Sequence, residues 1–396
     1  MNSQAVVEAD TMFLFEIGTL RHINRGWNQL SNNKFQNLTE HIYRTIWIAF
    51  LTGLSNDYDE PLLNILLTAM FYNIYKTRTG DQHYVASSHT KVDKEKAFKD
   101  ILRNTSINTN VSPIIQRYIN RNSQIAKLVY SANALENRLE LAELSYDNSK
   151  LASIWAKAND QTIYPAIPNN EIKQLWSRVQ DSNPHYWHLS APNVFDFKFS
   201  NENTGSTPQK ELSFLYEIGS MRRIDRTWTQ FTGHIFNNLA EHIFRSLFIG
   251  YILSLNEHVD TEKVLSMLLL HDLHELRSID VNYLMGKYIE RDTEACVLAS
   301  IEGLKDEDKL FALWKEFSAQ KTIEAKIARD ADKLEPIFEL KEQSFHGTQV
   351  AKKWFTQNFK LLSDTLHSNY AKEILDSLHA STPNQWHLRD GVLRPR

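Results

Sequence analysis

An internal duplication constrains the fold of this chain more than any other feature of its sequence. The segment Leu14–Gln29, LFEIGTLRHINRGWNQ, recurs as LYEIGSMRRIDRTWTQ at Leu215–Gln230. The stretch LTEHIYR, residues 38–44, recurs as LAEHIFR, residues 239–245. A repeat of roughly 200 residues is long enough to be a complete domain, whereas solenoid units are several times shorter. The sequence therefore predicts two tandem copies of one domain.

The composition of both copies favours α-helices. The 396 residues include only 12 glycines and 10 prolines, and the apolar residues recur at helical spacing without sustained alternation. We predict an all-α fold of two helical domains, residues 1–190 and 212–396, joined by a linker at 191–211 that is rich in Asn, Ser, Thr and Pro. Helices in the second copy are predicted at 212–222, 236–256, 260–277, 281–302, 305–318, 320–344 and 346–378. Because a fused duplication usually reproduces a homodimer, the copies are expected to pair as a pseudo-dimer, and a monomeric protein would then suffice.

The charge and the cysteine content narrow the class of protein and its partners. A net charge of −4 without a long basic block argues against nucleic-acid binding. The longest apolar runs, around 46–54 and 247–255, are about half the length of a membrane-spanning helix, so no membrane partner is expected. One cysteine, Cys296, excludes an intramolecular disulfide, and the polar start of the chain does not resemble a signal peptide. We therefore expect a cytoplasmic protein.

A candidate for chemistry lies at the end of an apolar run. His271, Asp272 and Glu275 follow directly on the leucines at 268–270. On a helix, His271 and Glu275 would share one face at spacing i, i+4, with Asp272 beside them. Burying an imidazole and two carboxylates is costly unless they bind a cation or one another. An isolated His-Asp pair is more often a hydrogen-bonded core histidine, so the rest of the chain has to distinguish the two interpretations.

The two copies differ in a telling way where a metal site would lie. The residues aligned with His271, Asp272, Glu275 and Asp332 are, in this order, Tyr72, Asn73, Lys76 and Asn133. Only His242 keeps its identity, as His41, while the core changes conservatively between Ile and Leu or Phe and Tyr. Asn keeps the shape of Asp without its charge, and Tyr lacks the ligand nitrogen of His. The comparison predicts a cation site in the second copy and no metal in the first.

The order of these residues resembles that of a known family. His242, then His271-Asp272, then Asp332 follow the order His…His-Asp…Asp of the HD-domain metal-dependent phosphohydrolases. The similarity is greatest to the bacterial HD-type 5′-deoxynucleotidases, which carry Ile-Asn-Arg-Trp-like, Glu-His-Ser, His-Asp-x-x-Glu and Ala-Asp-x-Leu elements. Their counterparts here lie at 224–228, 241–243, 271–275 followed by Asp280, and 331–334. The resemblance covers most of residues 212–345 and, in degenerate form, 12–145.

The resemblance implies a metal centre and a reaction. One divalent ion of the Mn, Co, Fe, Ni or Zn class would be ligated by His242, His271, Asp272 and Asp332. Glu275 would handle the proton of the attacking water, Arg226 would hold the phosphate, and Asp280 would orient the sugar or the water network. Trp228 would also contact the substrate. The implied activity is hydrolysis of nucleoside or deoxynucleoside 5′-monophosphates, or of another small phosphate ester.

The sequence departs from the family pattern in two places. Trp228 lies one residue further from Arg226 than in the deoxynucleotidases, and their Thr-Gly-Asp reads Ser-Ile-Asp at 278–280. The base and sugar preferences are therefore open. No histidine lies between Glu275 and Asp332, which favours one metal over a dinuclear centre.

Several alternatives stay open at the level of sequence. Asp330 competes with Asp332 as the last ligand, although the register of the repeat favours Asp332. Arg245 is retained as Arg44, so it is either an arginine of the family site or part of a structural ion pair. The protein could instead hydrolyse nucleoside triphosphates or alarmones, or act as a nucleotide-sensing regulatory protein, although an intact Glu275 argues against the last.

The first copy has three candidate roles. We expect it to serve as a pairing partner that buries apolar surface. It could alternatively bind a regulatory nucleotide without hydrolysing it, or Lys76 could place its ammonium beside His41 where the metal charge would be.

Overall fold

Every regular element in the described part of the chain, residues 3–54, 60–191, 210–233 and 236–388, is helical in this computed structural model. The first copy contains α1 Ser3–Gly18, α2 Leu38–Leu54, α3 Leu62–Phe71, α4 Lys76–Thr79, α5 Tyr84–Ser87, α6 Lys94–Ile101, α7 Asn108–Asn120, α8 Gln124–Tyr146, α9 Lys150–Thr162, α10 Asn170–Val179 and α11 Tyr186–Leu189. The second contains α12 Lys210–Gly219, α13 Thr229–Thr232, α14 Leu239–Asn256, α15 Thr261–Leu270, α16 Glu275–Ser278, α17 Thr293–Ile301, α18 Glu307–Ala319, α19 Ile323–Phe345, α20 Gln349–Thr365 and α21 Asn369–Ala380. Short 3-10 helices lie at Thr19–His22, Gly26–Gln29, Tyr164–Ala166, Ser220–Arg223, Met285–Lys287 and Pro383–Gln385. The predicted all-α fold is confirmed, and residues 192–209 of the predicted linker lie outside the described ones.

Both copies build the same core around their longest helix. In the first copy α8 packs on α2 and α3, and in the second α19 packs on α14 and α15. The two long helices have 23 residues each and begin with the same type of cap. The hydroxyl of Ser123 accepts a hydrogen bond from the backbone of α8, and that of Thr322 does the same for α19. The duplication read in the sequence is therefore a duplication of structure.

The first helix of each copy packs on the opposite copy. Helix α1 lies against α14 and α21, and α12 lies against α2. One hydrophobic cluster contains residues of both copies, with ring centroids 5.8 Å apart for Phe13 and Phe248 and 5.3 Å apart for Trp47 and Phe214. Buried aromatic rings contribute a large share of the energy of such a core. The two tandem domains therefore form an interlocked pseudo-dimer.

Polar contacts between the copies occur in equivalent pairs. The side chain of Asn37 donates to Glu241 Oε1 at 2.6 Å, and that of Asn238 donates to Glu40 Oε1 at 2.8 Å. Equivalent surfaces of the two copies thus contact each other, as in a two-fold dimer. These contacts lie at the N-termini of α2 and α14, so the interface also fixes the start of the helix that carries His242.

In each copy, a glycine of the first helix allows a buried arginine of the opposite copy to lie against the helix backbone. A Cβ atom on Gly18 would lie 2.5 Å from Arg245 Nη1, and one on Gly219 would lie 2.3 Å from Arg44 Nη1. No side chain fits at such distances, so the backbone can approach the guanidinium only at glycine. Both glycines belong to the Glu-Ile-Gly sequence shared by the two copies.

Two predicted helices of the second copy are interrupted at its functional centre. The helix predicted at 260–277 ends at Leu270, and the chain then continues through turns closed by i→i−3 hydrogen bonds, such as that from Glu275 N to Asp272 O at 2.9 Å. The helix predicted at 281–302 begins only at Thr293, because the preceding residues form turns around Asn282. The Oδ1 atom of Asn282 accepts hydrogen bonds from the backbone of the next residues and so competes with a helix.

The helix predicted at 346–378 is also wrong in its continuity. It consists of α20 and α21, which are separated at 366–368. Asp330 Oδ2 accepts hydrogen bonds there from the backbone of His367 at 2.8 Å and of Ser368 at 2.7 Å. A buried carboxylate from another helix therefore replaces the helical hydrogen bonds of this segment.

The described helices are not suited to crossing a membrane. None of the helices within residues 3–54, 60–191, 210–233 and 236–388 combines the length and the apolar character that crossing a bilayer requires.

Candidate metal centre

His242 is held rigidly on the first turns of α14. The helix starts with a capping box between Asn238 and Glu241, which fixes its position. His242 is fully buried, and its Nδ1 lies 2.5 Å from Glu335 Oε2 on α19. A carboxylate at this nitrogen holds the proton on Nδ1, so that Nε2 is left with a free lone pair. The imidazole is thus oriented as metal-ligating histidines are.

His271 lies at the end of α15, and its imidazole faces that of His242. Its Nδ1 lies 2.7 Å from the carbonyl oxygen of Leu268, a group that the end of the helix leaves available. The prediction of one continuous helical face for His271 and Glu275 is wrong, since α15 ends before His271. The turn nevertheless leaves Nε2 of His271 only 3.3 Å from Nε2 of His242.

Two carboxylates complete the cluster. Asp332 Oδ1, from α19, lies 3.3 Å from His242 Nε2 and 3.5 Å from His271 Nε2. Asp272 Oδ2 lies 3.6 Å and 3.1 Å from the same two nitrogens. In the described chain, His242, His271 and Asp332 form a group whose ligand atoms all lie within 4.8 Å of one another. Asp272 is not part of that tighter group, and its Oδ2 lies closer to His271 but further from His242 than Asp332 Oδ1 does.

This donor set fits a divalent cation. Two imidazole nitrogens and two carboxylates suit first-row ions such as Mn, Co, Fe, Ni or Zn. Burial alone would lower the pKa of His271, but the carboxylates of Asp272 and Asp332 raise that pKa well above its usual value. Burial would likewise raise the pKa of Asp332, but hydrogen bonds from the two histidines hold it well below its usual range. The centre therefore favours positive charge, which a cation supplies.

Glu275 lies beside the cluster with one oxygen free. Its Oε2 is buried and has no hydrogen-bond partner in the described chain. Burial, followed by the negative charges of Asp272 and Asp280, raises the pKa of Glu275 to about 9. An unpartnered buried carboxyl group is costly unless a ligand or water meets it, and perturbed carboxyl groups concentrate at active sites.

Arg226 also presents unsatisfied donors. Its Nε and Nη1 are buried without a hydrogen-bond partner, and Nε lies 3.5 Å from Asp280 Oδ2. In the first copy, Arg25 binds Asp81 at 3.1 Å and donates through Nη2 to Asn137 at 2.8 Å. The position of Asn137 is occupied in the second copy by Pro336, which offers no side-chain acceptor.

Asp280 and Trp228 support the segment that carries Arg226. Asp280 Oδ2 accepts from the backbone nitrogen of Thr227 at 2.7 Å and from its hydroxyl at 3.0 Å. Trp228 packs edge-on against Trp354, with centroids 5.8 Å apart, and the Arg226 guanidinium lies 5.8 Å from its centre. Both side chains therefore position Arg226, and their contacts with a substrate stay predictions.

The geometry distinguishes two alternatives that the sequence left open. Asp330 is engaged by the backbone between α20 and α21 and lies outside the ligand group, so Asp332 is the carboxylate at the centre. Arg245 Nε donates to Glu335 Oε1 at 2.9 Å, and its Nη1 donates to Glu342 Oε1 at 2.7 Å. Arg245 is thus part of a buried ion-pair network that holds Glu335 against His242.

Sequence reasoning missed two residues of the site. Glu335 orients His242, and Arg291 Nη1 lies 3.7 Å from Glu275 Oε1. Glu335 was detectable, because it recurs as Glu136 in the first copy. Arg291 was not, because the helix predicted around it would have placed it with solvent-facing residues.

The first copy retains the support of the centre and has lost its ligands. His41 Nδ1 still pairs with Glu136, and Arg44 still binds Glu136 at 3.0 Å. Where the other ligands would be, the hydroxyl of Tyr72 lies 3.0 Å from His41 Nε2, and Asn133 Oδ1 lies 2.8 Å from it. A hydrogen-bonded network has thus replaced the cation.

The place of the Lys76 ammonium beside His41 stays a prediction, and its positive charge is near enough to lower the pKa of His41. The ammonium lies 2.6 Å from Asp81 Oδ1, and Asp81 also binds Arg25. The ammonium therefore neutralises the carboxylate that corresponds to Asp280 of the second copy.

Glu335 provides a test of the support around His242. We expect Glu335→Gln to raise the dissociation constant for Mn²⁺ or Co²⁺ about 10- to 100-fold, because the imidazole loses the carboxylate that fixes its proton. Glu136→Gln is the matched control, since it weakens the equivalent ion-pair network in the first copy and should leave metal affinity unchanged. Titration of the metal-free protein measures both constants. Equal affinities in the two variants would contradict this role of Glu335.

Comparison with known proteins agrees with the tandem fold and identifies the family. The family described as HD domain matches residues 17–176 and 218–374, so both copies and most of the chain are covered. The chain belongs to the HD domain family, and it is a phosphohydrolase of that class. The resemblance inferred from the ordered His, His-Asp and Asp residues is confirmed at the level of the family.

Relatives of known name are distant. The 5′-deoxynucleotidase HDDC2 of Bos taurus is 25% identical over 147 residues, which is 35% of this chain and 70% of the relative. The protein of the same name from Dictyostelium discoideum is 26% identical over 162 residues, which is 37% of this chain and 85% of the relative.

Solved structures also align with less than half of the chain. A conserved hypothetical protein from Pyrococcus furiosus is 26% identical and covers 43% of this chain and 99% of its own, with a TM-score of 0.38. The PH0347 protein from Pyrococcus horikoshii OT3 is 23% identical and covers 43% and 98%, also with a TM-score of 0.38.

Proposed function

We propose that the second copy hydrolyses the phosphomonoester of nucleoside or deoxynucleoside 5′-monophosphates. The observation that carries this proposal is the convergence of four ligand atoms, from His242, His271, Asp272 and Asp332. Beside them, Glu275 Oε2 and the Nε and Nη1 atoms of Arg226 are buried without a hydrogen-bond partner. The names of the distant relatives support the substrate class. The first copy, without these ligands, contributes burial and pairing.

One divalent ion of the Mn, Co, Fe, Ni or Zn class would be held by these four ligands. Such an ion would polarise a phosphoryl oxygen and lower the pKa of a water molecule toward neutrality. The described chain offers no second His-rich group that would hold another ion nearby. We therefore propose one metal per chain, in the second copy.

Arg226 is proposed to bind the phosphate. Its guanidinium is buried, and the Nε and Nη1 atoms have no hydrogen-bond partner, so they can donate charge-assisted hydrogen bonds to a phosphate. The equivalent Arg25 keeps one such nitrogen, Nη1, because its Nε donates to Asp81 and its Nη2 donates to Asn137. Asp280 holds the segment that carries Arg226 through its hydrogen bonds to Thr227.

Glu275 is proposed to accept the proton of the attacking water. Its backbone nitrogen donates to the carbonyl oxygen of Asp272 at 2.9 Å, and among charged residues Asp272 has the largest effect on the pKa of Glu275. A cation at the cluster would oppose the effect of Asp272 and Asp280 and lower the pKa of Glu275 from about 9 toward neutrality. A general base works best with a pKa near the working pH.

A phosphate-release screen tests the substrate class. Purified protein is incubated with nucleoside and deoxynucleoside monophosphates, triphosphates and a guanosine tetraphosphate, each with Mn²⁺, Co²⁺, Ni²⁺ or Zn²⁺. We expect release of inorganic phosphate from monophosphates, and Asp272→Ala as a control should release none. Release only from the triphosphates or the tetraphosphate would favour the alternative hydrolase, and no metal-dependent release from any nucleotide would exclude the proposed enzyme.

Arg226→Ala is expected to raise the KM for the best monophosphate about 10- to 100-fold, the effect of losing hydrogen bonds from a charged group. Arg25→Ala, the equivalent change in the first copy, should leave this KM unchanged although it removes the buried pair with Asp81. Steady-state kinetics measures both. If both substitutions raise the KM by the same factor, Arg226 affects substrate binding only through the stability of the fold.

A further inference from the structure

We propose that Ile279 is a specificity-determining residue, whose side chain contacts the nucleobase of the substrate at the mouth of the metal centre. This inference rests on the proposed function and adds to it the residue that recognises the base.

The backbone of Ile279 is in a conformation that isoleucine strongly disfavours. Its φ is 61° and its ψ is 159°, a region populated almost only by glycine because a Cβ atom clashes there with the backbone. A β-branched side chain increases the clash. The equivalent residue of the first copy is Gly80, with φ 69° and ψ 178°. The fold therefore accepts glycine at this position without strain, and the second copy carries isoleucine instead.

Packing does not compensate for this strain. The side chain of Ile279 is 53% exposed and is not among the apolar residues that pack on the hydrophobic core. At Gly80, an added Cβ atom would meet nothing within 4 Å apart from the residues next to it in the chain, so no neighbouring element fills this position in the first copy. Neither burial nor a steric requirement thus explains the isoleucine, and retained strain of this kind concentrates at functional sites.

The hydrogen bonds of Ile279 place it at the edge of the proposed active site. Its backbone nitrogen donates to the carbonyl oxygen of Glu275 at 3.1 Å, and its own carbonyl accepts from Arg291 Nη1 at 3.1 Å. The same Nη1 lies 3.7 Å from Glu275 Oε1. The next residue, Asp280, holds the segment that carries Arg226. Ile279 is therefore fixed between the residues proposed to handle the proton and the phosphate.

Arg291 belongs to the second copy alone. It directly precedes the N-cap of α17, Asp292, and the equivalent cap of α6 is Asp93, so its counterpart in the first copy is Val92. The carbonyl at position 279 thus has an arginine partner only where the metal ligands are present. Glycine and valine occur in the copy that lacks the ligand residues, whereas isoleucine and arginine occur in the copy that has them.

Further exposed apolar side chains follow Ile279 along the chain. Tyr283 is 70% exposed and Tyr288 is 81% exposed, and the ring of Tyr283 stacks on Phe231 with centroids 5.3 Å apart. A nucleobase offers a flat, largely apolar face that such side chains bind, whereas a phosphate or a sugar hydroxyl gains nothing from isoleucine. The occupant that this chemistry favours is therefore the base of a nucleotide whose phosphate lies at the metal centre.

Two substitutions separate contact from strain. Ile279→Ala keeps the Cβ atom and most of the strain but removes the contact, whereas Ile279→Gly removes both. We expect both variants to raise the KM for the best nucleoside monophosphate about tenfold, the effect of losing one apolar contact. The KM for glycerol phosphate, which has no base, should not change. We expect only Ile279→Gly to raise Tm, by about 1–3 °C.

Gly80→Ile is the matched control in the first copy, and it should lower Tm without changing either KM. An unchanged KM for the nucleotide in both Ile279 variants of an enzyme that hydrolyses it would overturn the inference and leave the proposed function intact. A rise in KM that is equal for the nucleotide and for glycerol phosphate would also overturn it, because a general disturbance of the site would then explain the effect. If the unaltered chain releases phosphate from no nucleotide, the proposed function fails and this inference fails with it.

Discussion

Asp332→Asn is expected to abolish metal binding and phosphate release. The Oδ1 atom of Asp332 lies 3.3 Å and 3.5 Å from the two imidazole nitrogens, so its charge would act directly on an ion held by them. Loss of a residue that merely supports a ligand costs about 10- to 100-fold in affinity, so loss of a ligand charge should cost more than about 100-fold. The first copy contains this change naturally, and there Asn133 hydrogen-bonds His41 instead.

Metal content and activity test this prediction together. The protein is loaded with Co²⁺, dialysed, and analysed for metal per chain, and phosphate release is measured on the same samples. Asn133→Ala is the control, because it alters the equivalent position of the first copy and should preserve both quantities. The remaining contact of Asp332 is a partly exposed pair with Arg329 at 3.0 Å, so little change in thermal stability is expected. Full metal content in Asp332→Asn would remove Asp332 from the ligand set.

Glu275→Gln is expected to lower kcat about 10²- to 10⁴-fold, the range that general acid–base groups contribute. Glutamine keeps the volume and cannot accept the proton of the water. The free Oε2 atom of Glu275 makes no hydrogen bond that the substitution would break. Metal binding should therefore persist, in contrast to Asp332→Asn, because Glu275 lies outside the ligand group.

Single-turnover phosphate release with metal analysis distinguishes the two variants. Lys76→Gln is the matched control, since Lys76 occupies the equivalent position of the first copy, and its kcat should equal that of the unaltered chain. A metal-loaded Glu275→Gln protein that keeps kcat within about threefold of the unaltered chain would exclude Glu275 as the base.

The periodic and repeated parts of this structure were predictable from the sequence. Long helices such as α8 and α19 follow from apolar residues at helical spacing, and the capping residues Ser123 and Thr322 mark where they begin. The ligand set was predictable for a different reason. The first copy serves as a comparison in which the scaffold persists while His, Asp and Glu are replaced, so the residues not needed for folding stand out.

The breaks in the helices were not predictable, because each depends on a partner distant in sequence or on a local competitor. The break between α20 and α21 requires the carboxylate of Asp330 from α19. The turns at 271–274 and 279–292 lie within segments whose apolar spacing is that of helices. They form around His271 and Asn282, whose side chains bond backbone groups near the ends of helices.

The sequence by itself thus determined the all-α class, the duplication and the HD domain family, because periodicity, repetition and ordered motifs are all written along one chain. Only the tertiary structure decided that Glu335 and Arg245 hold His242, that α1 and α12 each pack on the opposite copy, and that Ile279 is strained beside Glu275. These features depend on distances between residues up to hundreds of positions apart, and on backbone angles that side-chain identity alone does not fix. The residues of the site at the end of α15 can therefore be predicted from local sequence. The orientation of its ligand side chains depends on α19 and on the opposite copy.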